Sequence, residues 1–122
     1  MMKILVVDDS AAMRQLVHNV LSEDGFDVVE AADGIAALDI VRESQDVEYV
    51  ALDVNMPRMS GIELVQKLKA DGYIDRGLKV VMLTTEGQIE LIREAKAAGA
   101  KGWIVKPFKP ELLLSAIRKI AA

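Results

Sequence analysis

The feature that most constrains this chain is an alternation. Short apolar runs at Ile4-Leu5-Val6-Val7, Asp27-Val28-Val29-Glu30, Tyr49-Val50-Ala51-Leu52, Leu78 to Leu83 and Trp103-Ile104-Val105 are each followed by a longer stretch of helical spacing. Short apolar runs bounded by turn residues fit strands buried on both faces. Strict strand–helix alternation calls for right-handed crossovers, hence a parallel sheet with helices on both sides. The reading is a doubly wound α/β chain of five strands and five helices, one domain over residues 1–122. That length supports one sizeable core.

The helical stretches carry their own punctuation. Met13, Leu16, Val17, Val20 and Leu21 recur at helical spacing, and Gly25 is a stop signal. Asp33 can cap a helix with Ala36, Ala37, Ile40 and Val41 on its apolar face. Ser60 with Glu63 is a capping-box pattern ahead of Leu64, Val65 and Leu68. Ile89, Ile92 and Ala95 form the fourth stripe. Pro110 suits the first position of a last helix buried through Leu113, Leu114, Ile117 and Ile120.

Composition removes several classes. Apolar residues are 52% of the chain, which excludes a disordered protein. A net charge of −4 with both signs scattered argues against nucleic acid as the direct partner. No cysteine is present, so there is neither a disulfide framework nor a thiolate metal site. The apolar stretch after Met1-Met2-Lys3 is too short for a signal peptide or a membrane span. The expectation is a soluble, cytoplasmic, monomeric protein with no membrane insertion. The last helix ends the chain, so no attached output domain is expected.

Chemistry gathers where the runs stop. Asp53 interrupts an apolar run, and an unpaired charge is costly to bury. Pro57 cannot join a ladder, so Asp53 belongs at the strand's carboxyl end, the edge where ligands collect in open parallel sheets. The first run ends in Asp8-Asp9, the fourth in Thr84-Thr85 and the fifth in Lys106. All these ends share one edge. Crowded carboxylates repel unless a cation joins them. An all-oxygen set suits a hard divalent ion, Mg²⁺ above all. Asp8, Asp9 and Asp53 supply −3, which Mg²⁺ and the Lys106 ammonium cancel. Each residue also has a plainer use: Asp8-Asp9 as a helix cap, Lys106 as a surface lysine, Thr84 as an ordinary strand end, Trp103 as packing. One aspartate would suffice for a cap, so the second favours metal. His18 falls with Arg14 and Ser22 on the polar side of the first helix and reads as exposed and idle.

These motifs resemble those of response-regulator receiver domains. The acidic pair Asp8-Asp9, the segment Leu52-Asp53-Val54-Asn55-Met56-Pro57-Arg58-Met59-Ser60-Gly61, Leu83-Thr84 and Lys106-Pro107-Phe108 stand in the family's order, and the likeness spans essentially the whole chain. Within the family, the single-domain CheY-type chemotaxis regulators are the nearest in form. The resemblance implies a flavodoxin-like sheet of order 2-1-3-4-5 and a cis Lys106–Pro107 bond. It implies that Asp53 accepts a phosphoryl group from a kinase phosphohistidine and later loses it unaided. Asp9, Asp53 and the Asn55 backbone carbonyl would ligate Mg²⁺, with Asp8 acting through water. Thr84 and Lys106 would meet the phosphoryl oxygens, and Asn55 and Glu86 would tune the decay. The output face would be helix 4, strand 5 and helix 5, including Lys101, Ile89 and Glu90. Implied partners are a CheA-like histidine kinase, a flagellar-motor switch protein and a phosphatase.

Two positions depart from the family pattern. Trp103 stands where Tyr or Phe is usual, which favours a ring kept at the surface over one that turns inward. Thr85 replaces a small residue, and its β-branch would slow access to the phosphate. Other readings are a receiver cut from a longer regulator, a non-motility or phosphate-sink receiver, an aspartyl-nucleophile Mg²⁺-dependent phosphatase and a flavin-binding domain. Asn55 at the second acidic position weighs against the phosphatase, and Asp8-Asp9 would repel a flavin phosphate.

Overall fold

In the computed structural model, residues 2–56, 58–85 and 89–121 are described. The chain runs β1 (Lys3–Val7), α1 (Ala11–Glu23), β2 (Asp27–Ala31), α2 (Gly34–Glu43), β3 (Val47–Asp53), α3 (Gly61–Ala70), β4 (Lys79–Thr84), α4 (Ile89–Ala97), β5 (Gly102–Val105) and α5 (Pro110–Ala121). The strands form one sheet in the order β2-β1-β3-β4-β5, and every neighbouring pair is parallel. The expected order and alternation are both found.

Strand pleat divides the core into two layers. Leu5, Val7, Val50, Leu52, Val80 and Met82 face one side and pack with residues of α2, α3 and α4. Ile4, Val6, Tyr49, Ala51, Val81, Leu83 and Ile104 face the other side and meet Val17 and Leu21 of α1 and Leu113 and Ile117 of α5. Both faces of the central strands are therefore dry, which is why their sequences read as unbroken apolar runs. Each fully buried Leu or Ile contributes about 2 kcal/mol from apolar area alone.

Helix ends follow the capping chemistry. The Ser10 side chain accepts from Met13 N at the start of α1, and Asp33 Oδ1 accepts from Ala36 N at 2.8 Å at the start of α2. The capping box at Ser60 and Glu63 is complete. Gly25 takes φ +93 just past α1, a left-handed turn that favours glycine. Differences are local. Leu16 is 46% exposed rather than part of the α1 stripe, and Leu38 is buried on α2 beside the expected residues. β3 begins at Val47, earlier than the apolar run suggests, because Val47 also turns inward.

Candidate phosphoacceptor and metal site

The parallel register brings four strand ends to one edge. Val7 pairs with Leu52, Asp53 with Leu83, and Thr84 with Val105. The residues just past β1 and β5 therefore flank the end of β3. Asp53 follows Tyr49 and Ala51 in the pleat and so belongs to the α1/α5 side.

Asp8, Asp9 and Asp53 come together there. One carboxylate oxygen from each lies within 4.8 Å of the others. Asp8 is 1% exposed and Asp53 8%, while Asp9 is open to solvent. Lys106 Nζ donates to Asp8 Oδ2 at 3.0 Å and to Asp53 Oδ1 at 3.2 Å. The ammonium thus bridges two carboxylates that would otherwise repel. Among the described residues, neither Asp53 Oδ2 nor the Asp9 carboxylate has a protein donor.

The charge balance is incomplete. Burial above all, then the Asp8 charge, pushes the Asp53 carboxyl above its ordinary range, although Lys106 pulls the other way. Burial works against the Lys106 ammonium, but its hydrogen bond to Asp8 and the Asp53 charge outweigh that and leave its pKa raised. A divalent cation would supply what the lysine does not. The donors are all oxygen, two of the carboxylates have an oxygen with no protein donor among the described residues, and that chemistry fits a hard ion.

The backbone keeps β3 and α3 in register beside the site. Gly61 N donates to Val54 O at 2.8 Å. A Cβ at Gly61 would lie 2.2 Å from the Asp53 carbonyl oxygen, so no larger residue fits.

The remaining expected residues are spread around this cluster. Asn55 is exposed just beyond β3. Thr84 is fully buried, and its Oγ1 donates to Ile104 O at 3.4 Å. Thr85 is exposed, while Glu86 lies outside the described residues. The Lys106–Pro107 bond is cis, as the resemblance implied. Trp103 is 43% exposed, with Lys96 Nζ 4.2 Å from its ring centroid. It borders a groove of about 560 Å³ with Lys101, Leu112, Ala116, Lys119 and Ile120. Glu90 is exposed on α4, and the Ile89 side chain lies outside the described residues.

Two arginines escaped the sequence reading. Arg14 Nη1 donates to the Asp8 carbonyl at 2.7 Å, and its Nε donates to Glu30 Oε1 at 3.1 Å. Arg58 takes φ 67 and pairs with Asp33, the α2 cap, while Met59 packs over Gly34. A signal for Arg14 existed: a cation early in a helix opposes the helix dipole and needs another reason to be there. His18 is also less idle than expected, because its Nδ1 lies 2.7 Å from Glu30 Oε2.

The response regulator receiver domain family matches residues 4–118. The chain belongs to the response-regulator receiver family. Relatives include a chemotaxis protein CheY homolog of Campylobacter jejuni, 42% identical over 113 residues, covering 92% of this chain and 86% of the relative. Chemotaxis protein CheY-3 of Vibrio cholerae is 43% identical over 120 residues, covering 98% and 91%. Among solved structures, chemotaxis response regulator CheY4 of Vibrio cholerae superposes with a TM-score of 0.90 at 41% identity, covering 98% of each chain. The chain is a receiver domain of CheY type, not a conventional enzyme. No helix among the described residues is long and apolar enough to cross a membrane.

Proposed function

We propose that Asp53 is the phosphoacceptor of a Mg²⁺-dependent switch that acts as a single domain over residues 1–122. The observation that carries this reading is the asymmetry at Asp53: Oδ1 is held by Lys106 while Oδ2 has no protein donor among the described residues. Asp9, Asp53 and the Asn55 carbonyl would hold Mg²⁺. Asp8, with both carboxylate oxygens already bonded, would act through water. When bound, the ion neutralises charge on the carboxylates and the incoming phosphoryl oxygens.

Asp53 Oδ2 attacks phosphorus in line. The O–P bond forms as the P–N bond of a kinase phosphohistidine breaks, and the imidazole leaves. Lys106 meets one phosphoryl oxygen. The Thr84 hydroxyl exchanges Ile104 O for another. Water later attacks phosphorus, the O–P bond breaks, and the Asp53 carboxylate returns with release of inorganic phosphate. Thr85 borders that access route, and the family resemblance assigns the tuning of this decay to Asn55 and Glu86. Phosphate on Asp53 shifts a two-state equilibrium read at α4, β5 and α5. Trp103, Lys101 and Glu90 belong to that face. The CheY relatives support a chemotaxis pathway, with a CheA-like kinase upstream, a flagellar-motor switch protein downstream and a phosphatase to clear the signal.

The test is labelling by a small phosphodonor with and without Mg²⁺, comparing the native chain with Asp53→Asn and following Trp103 fluorescence. Mg²⁺-dependent label that vanishes in Asp53→Asn is expected. Label that persists in the variant would falsify the assignment.

A further inference from the structure

We propose that Arg14 is a positioning residue for the acidic pocket, holding the peptide that carries Asp8 and Asp9 so that both carboxylates face Asp53. The inference rests on the reading of these three aspartates as a divalent-cation site.

The guanidinium is gripped at both ends. Nη1 donates to the Asp8 carbonyl at 2.7 Å, and Nε donates to Glu30 Oε1 at 3.1 Å. Glu30 stands on β2 opposite Val6 of β1, and its other oxygen is 2.7 Å from His18 Nδ1. The Arg14 side chain is 19% exposed, so its charge is largely committed to these contacts. A loop carbonyl is thereby tied to a carboxylate on the neighbouring strand.

With Arg14 in place, every polar atom of Asp8 is engaged. Its N donates to Ala31 O at 3.2 Å. Its carbonyl accepts from Arg14, Oδ1 accepts from Ser10 N at 2.9 Å, and Oδ2 accepts from Lys106. Asp9 has no donor to its carboxylate among the described residues and takes its direction from the Asp8 peptide. Of the four ties on Asp8, only the one from Arg14 fixes the carbonyl of the Asp8–Asp9 peptide.

Charge and geometry predict opposite signs. A cation beside an acidic pocket weakens the binding of another cation, so removing Arg14 as a mere charge would tighten Mg²⁺. Removing it as a clamp would loosen Mg²⁺, because the Asp9 carboxylate loses its aim. Groups that orient metal ligands from behind typically matter by about tenfold in affinity.

The experiment is calorimetric titration of Mg²⁺ into the full chain, with thermal unfolding run in parallel. The variants are Arg14→Ala and Arg14→Lys. Arg14→Ala is expected to bind Mg²⁺ about tenfold more weakly. Arg14→Lys keeps the charge and recovers part of the loss, since an ammonium lacks the planar fork that spans Asp8 and Glu30. Unchanged or tighter binding by Arg14→Ala overturns the inference. Should Arg14→Ala fail to fold, Arg14→Lys decides alone: weaker binding supports the clamp and native affinity overturns it. Absence of Mg²⁺ binding by the native chain removes the metal-site reading and this inference together; native binding with an indifferent Arg14 removes only the inference.

Discussion

The acidic edge and the Trp103 face lie three residues apart along the chain, at Lys106 just past β5 and at Trp103 on it, yet they are built on opposite plans. At the edge, Asp8 and Asp53 are buried, bridged by Lys106 and backed by Arg14 and by the Gly61 contact. At the face, Trp103 is exposed, and the contact recorded for its ring is the Lys96 ammonium. Groups that must meet a phosphoryl oxygen within tenths of an ångström need ties from several elements. A surface that meets a partner gains from side chains that can re-pack. The contrast teaches that rigidity and adaptability can share one short strand, provided the covalent neighbours Ile104 and Val105 are held by the sheet.

The contrast is most severely tested at Gly61. Gly61→Ala places a methyl group against the Asp53 carbonyl, an atom that cannot move without the end of β3. The expected cost is about 3 kcal/mol by urea unfolding, with loss of phosphodonor labelling. A cost under about 1 kcal/mol would show that the edge yields as easily as the face.

A smaller effect, of opposite sign, is expected from Asp53→Asn without metal. Burial and the Asp8 charge raise the Asp53 pKa, so the folded state disfavours the carboxylate. The amide removes that penalty and should raise Tm by a few degrees in EDTA. Saturating Mg²⁺ should stabilise the native chain and erase or reverse the difference. The same shift sets a pH dependence. As pH falls through the raised Asp53 pKa, the native state binds a proton before the unfolded chain does, so stability attributable to Asp53 rises. Asp53→Asn should lack that rise. Lys106 has the same sign in a more alkaline window: its contribution is complete below the ordinary lysine pKa and is lost as pH climbs through its raised value. Matching melting curves of the two proteins across the acid range would contradict the burial argument.

The least effect belongs to the face. Lys96→Met removes the cation above Trp103 and should change stability by no more than about 1 kcal/mol. Acrylamide quenching of Trp103 should nevertheless increase, because the ring loses its cover. A large stability loss would mean that the face is as tightly built as the edge.

How much of this was readable in advance depended on how conspicuous each residue is. β1 and β3 were legible because both of their faces are buried. Asp8, Asp53 and Lys106 were legible because each ends or breaks an apolar run. Asp33 was readable as a cap, though not as the partner of Arg58. Arg14 reads only as lying on the polar side of α1 and Arg58 only as part of the motif, since pattern alone reveals neither the Asp8 carbonyl nor the Asp33 carboxylate as a partner. Leu16 misled because α1 has more apolar residues than its buried stripe can take, and Val17 and Leu21 occupy that stripe. The side to which the Thr84 hydroxyl turns depends on tertiary contact with Ile104, which no local pattern encodes.

The seam at Gly61 and Val54 bears on how a signal leaves the pocket. It makes the β3–α3 wall behave like the fixed jaw of a vice, with backbone pressed on backbone. In the proposed switch, displacement produced by a phosphoryl group on Asp53 would then be delivered to the opposite jaw, where Thr84 would trade the Ile104 carbonyl for a new acceptor. Direction of transmission is thus set by which side of the pocket has no room to give.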